Sequence, residues 1–231
     1  MANTFSKIAE GLAAWLSFER RCGREQFFSE SYLAYPLAQL LKYRFEGRVL
    51  AEIEHPVLSK LRTGPGSKPR IDFGITGTNN VLALAIETKW LSGSPNLVRD
   101  IIRDIVRLDL VVPQHAESGL LLTAGEARNF DRLFQREDFL GPKPKRLSGH
   151  LLPVFRTTGT LNLRNPESTP LRAEFFERVL ATFGGTEVSE RIPLVRSGPY
   201  PANARTRDYQ VYIWGLRSFS GEGPRFLVGG V

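Results

Sequence analysis

The sequence predicts an α/β protein with a mixed central sheet flanked by helices. Residues 81–90 (VLALAIETKW) and 118–123 (SGLLLT) are nearly continuous apolar runs, which is typical of strands that are buried on both faces. Between them, residues 96–110 (NLVRDIIRDIVRLDL) place apolar side chains at helical spacing, with arginines and aspartates elsewhere on the helix. A mixed sheet flanked by helices is the simplest architecture that contains these elements.

Together with the helix over 96–110 and the strand over 118–123, the elements expected before residue 96 give a core with the order helix, three strands, helix, strand. An amphipathic N-terminal helix is expected over 3–21, and a second helix, capped by Ser29, extends to about Phe45. Residues 48–58 alternate apolar and polar side chains, as a half-buried strand does. Strands over 71–75 and 81–90 follow, and the turn-forming residues 76–80 separate them.

The C-terminal part carries weaker signals. A short helix is expected over 126–134, a strand over 151–155, a helix over 171–183, and two paired strands over 188–196 and 207–215. Residues 140–170 are rich in proline, glycine and basic residues and indicate a long excursion. We therefore expect one domain over 1–231, with a core at about 30–137, the N-terminal helix 3–21, and a basic α+β extension over 140–231.

The composition restricts the class of protein. The 231 residues are 42% hydrophobic and carry a net charge of +7, which favours a nucleic-acid partner, although a solvated basic surface is the simpler alternative. The single cysteine, Cys22, excludes an internal disulfide framework and a cysteine-rich zinc site, and it suits a reducing cytoplasm. Neither a signal peptide nor a membrane-spanning run is expected, so the prediction is a cytoplasmic protein without a membrane partner.

Three charged residues stand at the ends of two adjacent predicted strands. The apolar run VLALAI ends abruptly in Glu87, Thr88 and Lys89, and Asp72 lies near the start of the preceding strand. Side chains two apart on a strand share a face, so Glu87 and Lys89 project together, and pairing of the strands can bring Asp72 alongside. Charges at a buried sheet end are costly unless they are paired or bind a metal, and two carboxylates with open water positions suit Mg²⁺.

These residues resemble the PD-(D/E)XK nuclease superfamily. Arg70-Ile71-Asp72 is followed 15 positions after the aspartate by Glu87-Thr88-Lys89, with Ile71 where the pattern has proline. The element order over 30–124 also resembles the family core, so the resemblance implies a restriction-endonuclease-like fold with α-β-β-β-α-β order. It covers less than half of the chain.

The resemblance also implies roles for individual residues. Asp72 and Glu87 would be metal ligands, Thr88 would bind the metal through its backbone carbonyl, and Lys89 would be the catalytic base or the group that positions water. Family members often add an acidic residue from the first core helix, and Glu30 stands at that helix start. The implied cofactor is Mg²⁺ or Mn²⁺.

Each of these residues also has a structural interpretation. Asp72, Glu87 and Lys89 could form a salt-bridge cluster at a strand end, and Glu30 could serve the dipole of its helix. On the predicted helix 96–110, either Arg103 or Arg107 could reach phosphate, but pairing with Asp100 and Asp104 explains both arginines without a functional role.

The expected function is metal-dependent hydrolysis of phosphodiester bonds. DNA is favoured over RNA as the substrate, and restriction or phage defence is the biological setting suggested by the family's habits. A homodimer or a partner protein in a larger complex would fit a double-strand cutter. The alternatives are a non-catalytic nucleic-acid-binding module and an interaction subunit on the same fold.

Overall fold

The computed structural model describes residues 2–46, 48–61, 66–77, 81–112, 114–136, 151–153, 157–164, 170–217 and 223–229. These residues form a seven-stranded mixed sheet, a two-stranded sheet and six α-helices. The helices are α1 Ala2–Arg21, α2 Glu30–Phe45, α3 Leu58–Leu61, α4 Leu97–Val111, α5 Ala127–Phe134 and α6 Pro170–Leu180. The strands are β1 Val49–Glu54, β2 Arg70–Thr76, β3 Leu82–Trp90, β4 Ser118–Glu126, β5 Thr158–Asn162, β6 Glu187–Ser189, β7 Arg191–Tyr200, β8 Tyr209–Arg217 and β9 Arg225–Leu227.

The large sheet has the order β1-β2-β3-β4-β8-β7-β5. Strands β1, β2 and β3 form an antiparallel meander, and β4 then lies parallel to β3, connected to it through α4. A parallel pair needs such a crossover, because a hairpin turn can join only antiparallel strands. The mixed α/β architecture was predicted from the sequence, as was the order α2-β1-β2-β3-α4-β4, but the short helix α3 between β1 and β2 was not predicted.

Helices cover both faces of this sheet, so its central strands are buried on both sides. Apolar residues of α4, α5 and α6 pack on one face, and those of α1 and α2 pack on the other. Along β3 the alternation is direct, since Ala85 belongs to the first core and Ile86 to the second. The prediction that the apolar run VLALAI is buried on both faces is confirmed for Leu84, Ala85 and Ile86, whereas residues 81–83 are half-buried.

A capping residue explains where α2 begins, and an apolar stripe explains how α4 packs on the sheet. Ser29 is the N-cap of α2, and its hydroxyl accepts a hydrogen bond from the Tyr32 amide at 3.2 Å. Helix α4 begins at Leu97, and most of its apolar residues are buried against the sheet. These two helices lie on opposite faces and deliver side chains to the same end of β3.

The C-terminal part is not an appendage to the sheet. Strands β8, β7 and β5 continue the same sheet beyond β4, and β8 pairs with β4 over residues 118–126. Helix α1 packs mainly on β8 and β7, so the two ends of the chain meet on one face. The predicted pairing of the last two long strands is confirmed.

The predicted strand over 151–155 is wrong for its described part. Residues 151–153 form a bend, and the strand of this region is β5, which begins at Thr158 and pairs with β7. Residues 154–155 and most of the basic segment lie outside the described residues, including Lys143, Lys145, Arg146 and Arg156. Among the helices that the structure describes, none is both long and apolar enough to cross a membrane.

Candidate functional site

The antiparallel register brings Asp72 and Glu87 together at one end of the sheet. Phe73 pairs with Ala51 on β1 and with Ile86 on β3. One residue further along the same registers, Asp72 therefore lies between Glu52 on one side and Glu87 on the other. Acidic residues thus occupy neighbouring positions on three strands, but their side chains differ in direction: Asp72 bonds the Thr88 hydroxyl beside the α2 cleft, whereas Glu87 pairs with Arg107 on α4.

Thr88 holds the Asp72 carboxylate. Oδ2 of Asp72 accepts hydrogen bonds from the Thr88 amide at 2.7 Å and from the Thr88 hydroxyl at 2.6 Å. Thr88 is itself buried in the sheet. The two bonds fix the orientation of the Asp72 side chain, so Thr88 has a side-chain role besides the backbone role that the resemblance implies.

Glu87 is a buried carboxylate, only 3% exposed. Its Oε1 lies 3.0 Å from Nη2 of Arg107 on α4, and the same guanidinium donates a hydrogen bond to the Arg70 backbone carbonyl on β2. Burial raises the pKa of Glu87 well above its usual value, and the carboxylates of Asp104 and Asp72 add to this against the opposing charge of Arg107. Glu87 is therefore a buried acid whose charge depends on the positive charge of Arg107.

Lys89 lies between two carboxylates from opposite faces of the sheet. Its Nζ is 3.0 Å from Oε2 of Glu30 on α2 and 3.0 Å from Oδ2 of Asp104 on α4. Burial by itself would lower the pKa of Lys89, but Asp104 and Glu30 outweigh burial and raise this pKa. An amine with a raised pKa keeps its proton at neutral pH, so the geometry favours a positioning and charge-stabilising role over that of a base.

A cleft on the α2 face of the sheet connects Glu30, Asp72 and Thr88 with solvent, whereas Glu87 and Lys89 are not among its lining residues. It encloses about 360 Å³ between α2 and the β1–β2 pair. Its lining includes Glu30, Tyr35, Ala51, Glu52, Asp72 and Thr88. The small side chains of α2 and β1 leave this space open, so a ligand can approach Asp72 from the α2 face.

The structure brings all five predicted site residues to one end of β3: Glu30, Asp72, Glu87, Thr88 and Lys89. Sequence reasoning missed the roles of Asp104 and Arg107. The expectation that Asp104 and Arg107 pair with residues of their own helix is wrong. Asp104 forms its ion pair with Lys89 on β3, and Arg107 forms its ion pair with Glu87 on the same strand. Within α4, Asp100 pairs with Arg103 at 3.4 Å, as expected.

A signal for Asp104 was present in the sequence. It lies three residues after Ile101 and four before Leu108, so at helical spacing it falls inside the apolar stripe of α4. Ile101 and Leu108 are both buried, and Asp104 is 5% exposed. An acidic residue in a buried stripe needs a cationic partner from another element.

The donor chemistry of the site is suited to a hard divalent cation. Asp72 and Glu87 offer carboxylate oxygens, and Oε1 of Glu87 is buried without a hydrogen bond of normal geometry in the described part of the chain. Over the same residues, no three Asp, Glu, His or Cys side chains converge on one point. Mg²⁺ is often held by one or two carboxylates, with water and phosphate oxygens as its other ligands, and Asp72 and Glu87 fit that mode of binding.

Comparisons with known proteins add no assignment. No family model, curated protein or solved structure matches this chain. The functional argument therefore rests on the site geometry and on the motif.

Proposed function

We propose that this protein is a divalent-metal-dependent nuclease of the PD-(D/E)XK type, with a restriction-endonuclease-like core over β1–β4. The observation that carries the proposal is the clustering of Asp72 and Lys89 around Glu87 where β2 pairs with β3, with a cleft that reaches Asp72. The order α2-β1-β2-β3-α4-β4 agrees with it. The net charge of +7 favours a polyanionic substrate, with DNA preferred over RNA.

In this proposal Asp72 and Glu87 hold Mg²⁺ or Mn²⁺, with the Thr88 carbonyl as a further ligand. When bound, the ion polarises the scissile phosphate and lowers the pKa of an attacking water. Thr88 orients Asp72 through two hydrogen bonds. The Lys89 ammonium positions the water and stabilises the negative charge that develops on the phosphate.

The test is cleavage of circular DNA, linear DNA and RNA with Mg²⁺, Mn²⁺ or EDTA. Lys89→Ala and Asp72→Asn are each expected to reduce cleavage on the order of 100-fold or more, as expected when transition-state charge loses its stabilisation. Lys68→Ala is the matched control, because Lys68 also pairs with a glutamate, Glu54 at 3.2 Å, but its side chain is exposed and its ion pair includes none of the five site residues. Equal activity in wild type and both site variants would reveal a contaminant and refute the proposal.

A specific observation favours a second candidate, a non-catalytic nucleic-acid-binding module. Each charged group of the site already has an internal partner: Asp72 has Thr88, Glu87 has Arg107, and Lys89 has Glu30 and Asp104. The cluster would then serve only to hold the elements together. This candidate predicts steeply salt-dependent DNA binding, measured by fluorescence anisotropy, with no cleavage in any metal.

A further inference from the structure

Two ion pairs of opposite polarity connect α4 to β3. Asp104 on the helix contacts Lys89 on the strand at 3.0 Å, and Arg107 on the helix contacts Glu87 at 3.0 Å. On the strand the acid precedes the base, and on the helix the acid also precedes the base. The acid of each element contacts the base of the other. The chain of α4 therefore runs in the opposite direction to that of β3 where the two meet.

The spacing of the two pairs matches the geometry of the two elements. Residues i and i+2 of a strand share a face and are separated by roughly 6.6 Å. Residues i and i+3 of a helix lie on one side and are separated by roughly 4.5 Å along the axis. The side chains bridge the small difference, so one turn of α4 can contact both Glu87 and Lys89.

A charged residue at the position of Asp104 is unfavourable for the stability of the fold. The Asp104 side chain is 8% exposed, within a stripe of buried isoleucine and leucine residues. A buried ion pair costs desolvation that a well-packed apolar pair avoids, so an acid at this position is poor evidence for a stabilising role. Its geometric consequence is specific, because it contacts the ammonium of Lys89 from the face opposite to Glu30.

We propose that Asp104 is a positioning residue for the nuclease reaction, which with Glu30 clamps the Lys89 ammonium in place beside Asp72 and Glu87. The inference rests on the proposed function. A lysine side chain has four rotatable bonds, and the two carboxylates restrict its ammonium to one place at the end of β3. Asp104 itself does not touch the substrate, so its effect appears in turnover and not in binding.

The kinetic test compares Asp104→Asn and Asp104→Glu with wild type. Asp104→Asn keeps the side-chain volume but removes the charge, and kcat is expected to fall about 10- to 100-fold, as for other supporting residues around a site. KM and the Kd for DNA are expected to stay within about twofold, because the DNA contacts are unchanged. Asp104→Glu restores the charge and is expected to recover part of the lost kcat.

Asp100→Asn is the matched control, because Asp100 lies one turn earlier on the same helix and pairs with Arg103. Its kcat is expected to equal that of wild type. Wild-type kcat in folded Asp104→Asn would overturn the inference, as would a loss of kcat matched by an equal loss of DNA binding. If Asp104→Asn does not fold, Asp104→Glu decides: a reduced kcat with unchanged Kd supports the clamp, and wild-type kcat overturns it.

A second measurement separates this inference from the proposed function. The rate of Lys89 acetylation by a soluble reagent, followed by mass spectrometry relative to the exposed Lys42, reports how firmly the ammonium is held. In Asp104→Asn or Asp104→Glu this rate is expected to rise several-fold, and in Asp100→Asn it is expected to stay constant. An unchanged rate in the Asp104 variants refutes the clamp even if the protein cuts DNA, while a raised rate supports the clamp even if wild type fails to cut.

Discussion

At the residue scale, the site consists of buried charges whose partners come from other elements. Glu87 and Asp104 are both less than a tenth exposed, and burial raises the pKa of each. Removing one member of a buried ion pair leaves the other without compensation, which is far more destabilising than losing a surface pair. Variants that remove Arg107 or Asp104 therefore need a folding control before loss of activity is interpreted.

His55 is another buried polar residue with a partner from a different element, but its side chain is neutral. It is fully buried, its Nδ1 accepts hydrogen bonds from the Val57 and Leu58 amides, and its Nε2 therefore donates to the Arg107 carbonyl at 3.0 Å. Burial lowers its pKa from 6.5 to about 4. The imidazole is therefore neutral in the fold and joins the loop before α3 to the helix that carries Arg107.

The lowered pKa of His55 predicts a loss of stability in acid. The unfolded chain binds a proton at His55 below pH 6.5 and the folded protein only below about pH 4, so this contribution is complete above pH 6.5 and is lost as the pH falls towards 4. The loss amounts to roughly 3 kcal/mol by pH 4. Urea denaturation between pH 7 and pH 4 is expected to show a steeper fall in unfolding free energy for wild type than for His55→Gln.

His115→Gln provides the comparison for this prediction. His115 is only partly buried and its pKa is also lowered, so its own contribution has the same sign but follows from weaker desolvation. The His115→Gln variant is expected to keep most of the wild-type pH dependence. Parallel curves for wild type and His55→Gln would show that His55 does not carry the effect.

At the element scale, the carboxyl end of β3 packs closely against β4. The Leu91 amide donates to the Ala124 carbonyl at 2.8 Å, and a Cβ added at Gly125 would lie 2.7 Å from Cβ of Leu91. Neither atom can move without moving its backbone. The absence of a side chain at Gly125 therefore allows the close approach of the two strands beside Lys89.

The close packing predicts that Gly125→Ala destabilises the protein by about 1–3 kcal/mol, the usual cost of overpacking. Gly93→Ala, in the connection between β3 and α4, is the control, because its added Cβ would meet no atom within 4 Å. That variant is expected to lie within about 0.5 kcal/mol of wild type. Urea denaturation measures both, and equal stability of the two variants would contradict the packing argument.

At the scale of the whole molecule, the N-terminal helix and the C-terminal strands depend on each other. Leu12 and Leu16 of α1 are fully buried, in the same core as Val211 and Ile213 of β8. Strand β8 also covers the edge of β4, which would otherwise present unpaired amide and carbonyl groups. The predicted core at 30–137 therefore leaves one edge of β4 without its partner strand when it stands alone.

This dependence predicts that a fragment of residues 1–136 does not fold cooperatively. The fragment loses β8, β7 and β5, so an edge of β4 and the part of the apolar face of α1 that packs on β8 and β7 are exposed to water. Circular dichroism during thermal unfolding is expected to show a broad, shallow change, whereas the full chain shows one sharp transition. A sharp transition in the fragment would mean that the first four strands and their helices form an independent unit.

The sequence by itself determined the elements and much of the site. Alternation and helical spacing are local properties, so they identified β2, β3 and α4 and placed Glu87 and Lys89 on one face of a strand. The charges that end the apolar run of β3 identified the site for the same reason.

Only the tertiary structure decided which partners these residues have. Asp104 and Arg107 have arginine or aspartate neighbours on their own helix, and local reasoning paired them there, but packing of α4 on the sheet turns both towards β3. The placement of β8, β7 and β5 beyond β4 likewise depends on contacts between residues that are far apart in the sequence. Residues far apart in the chain meet only when burial of both sheet faces selects one arrangement, and no local pattern encodes that selection.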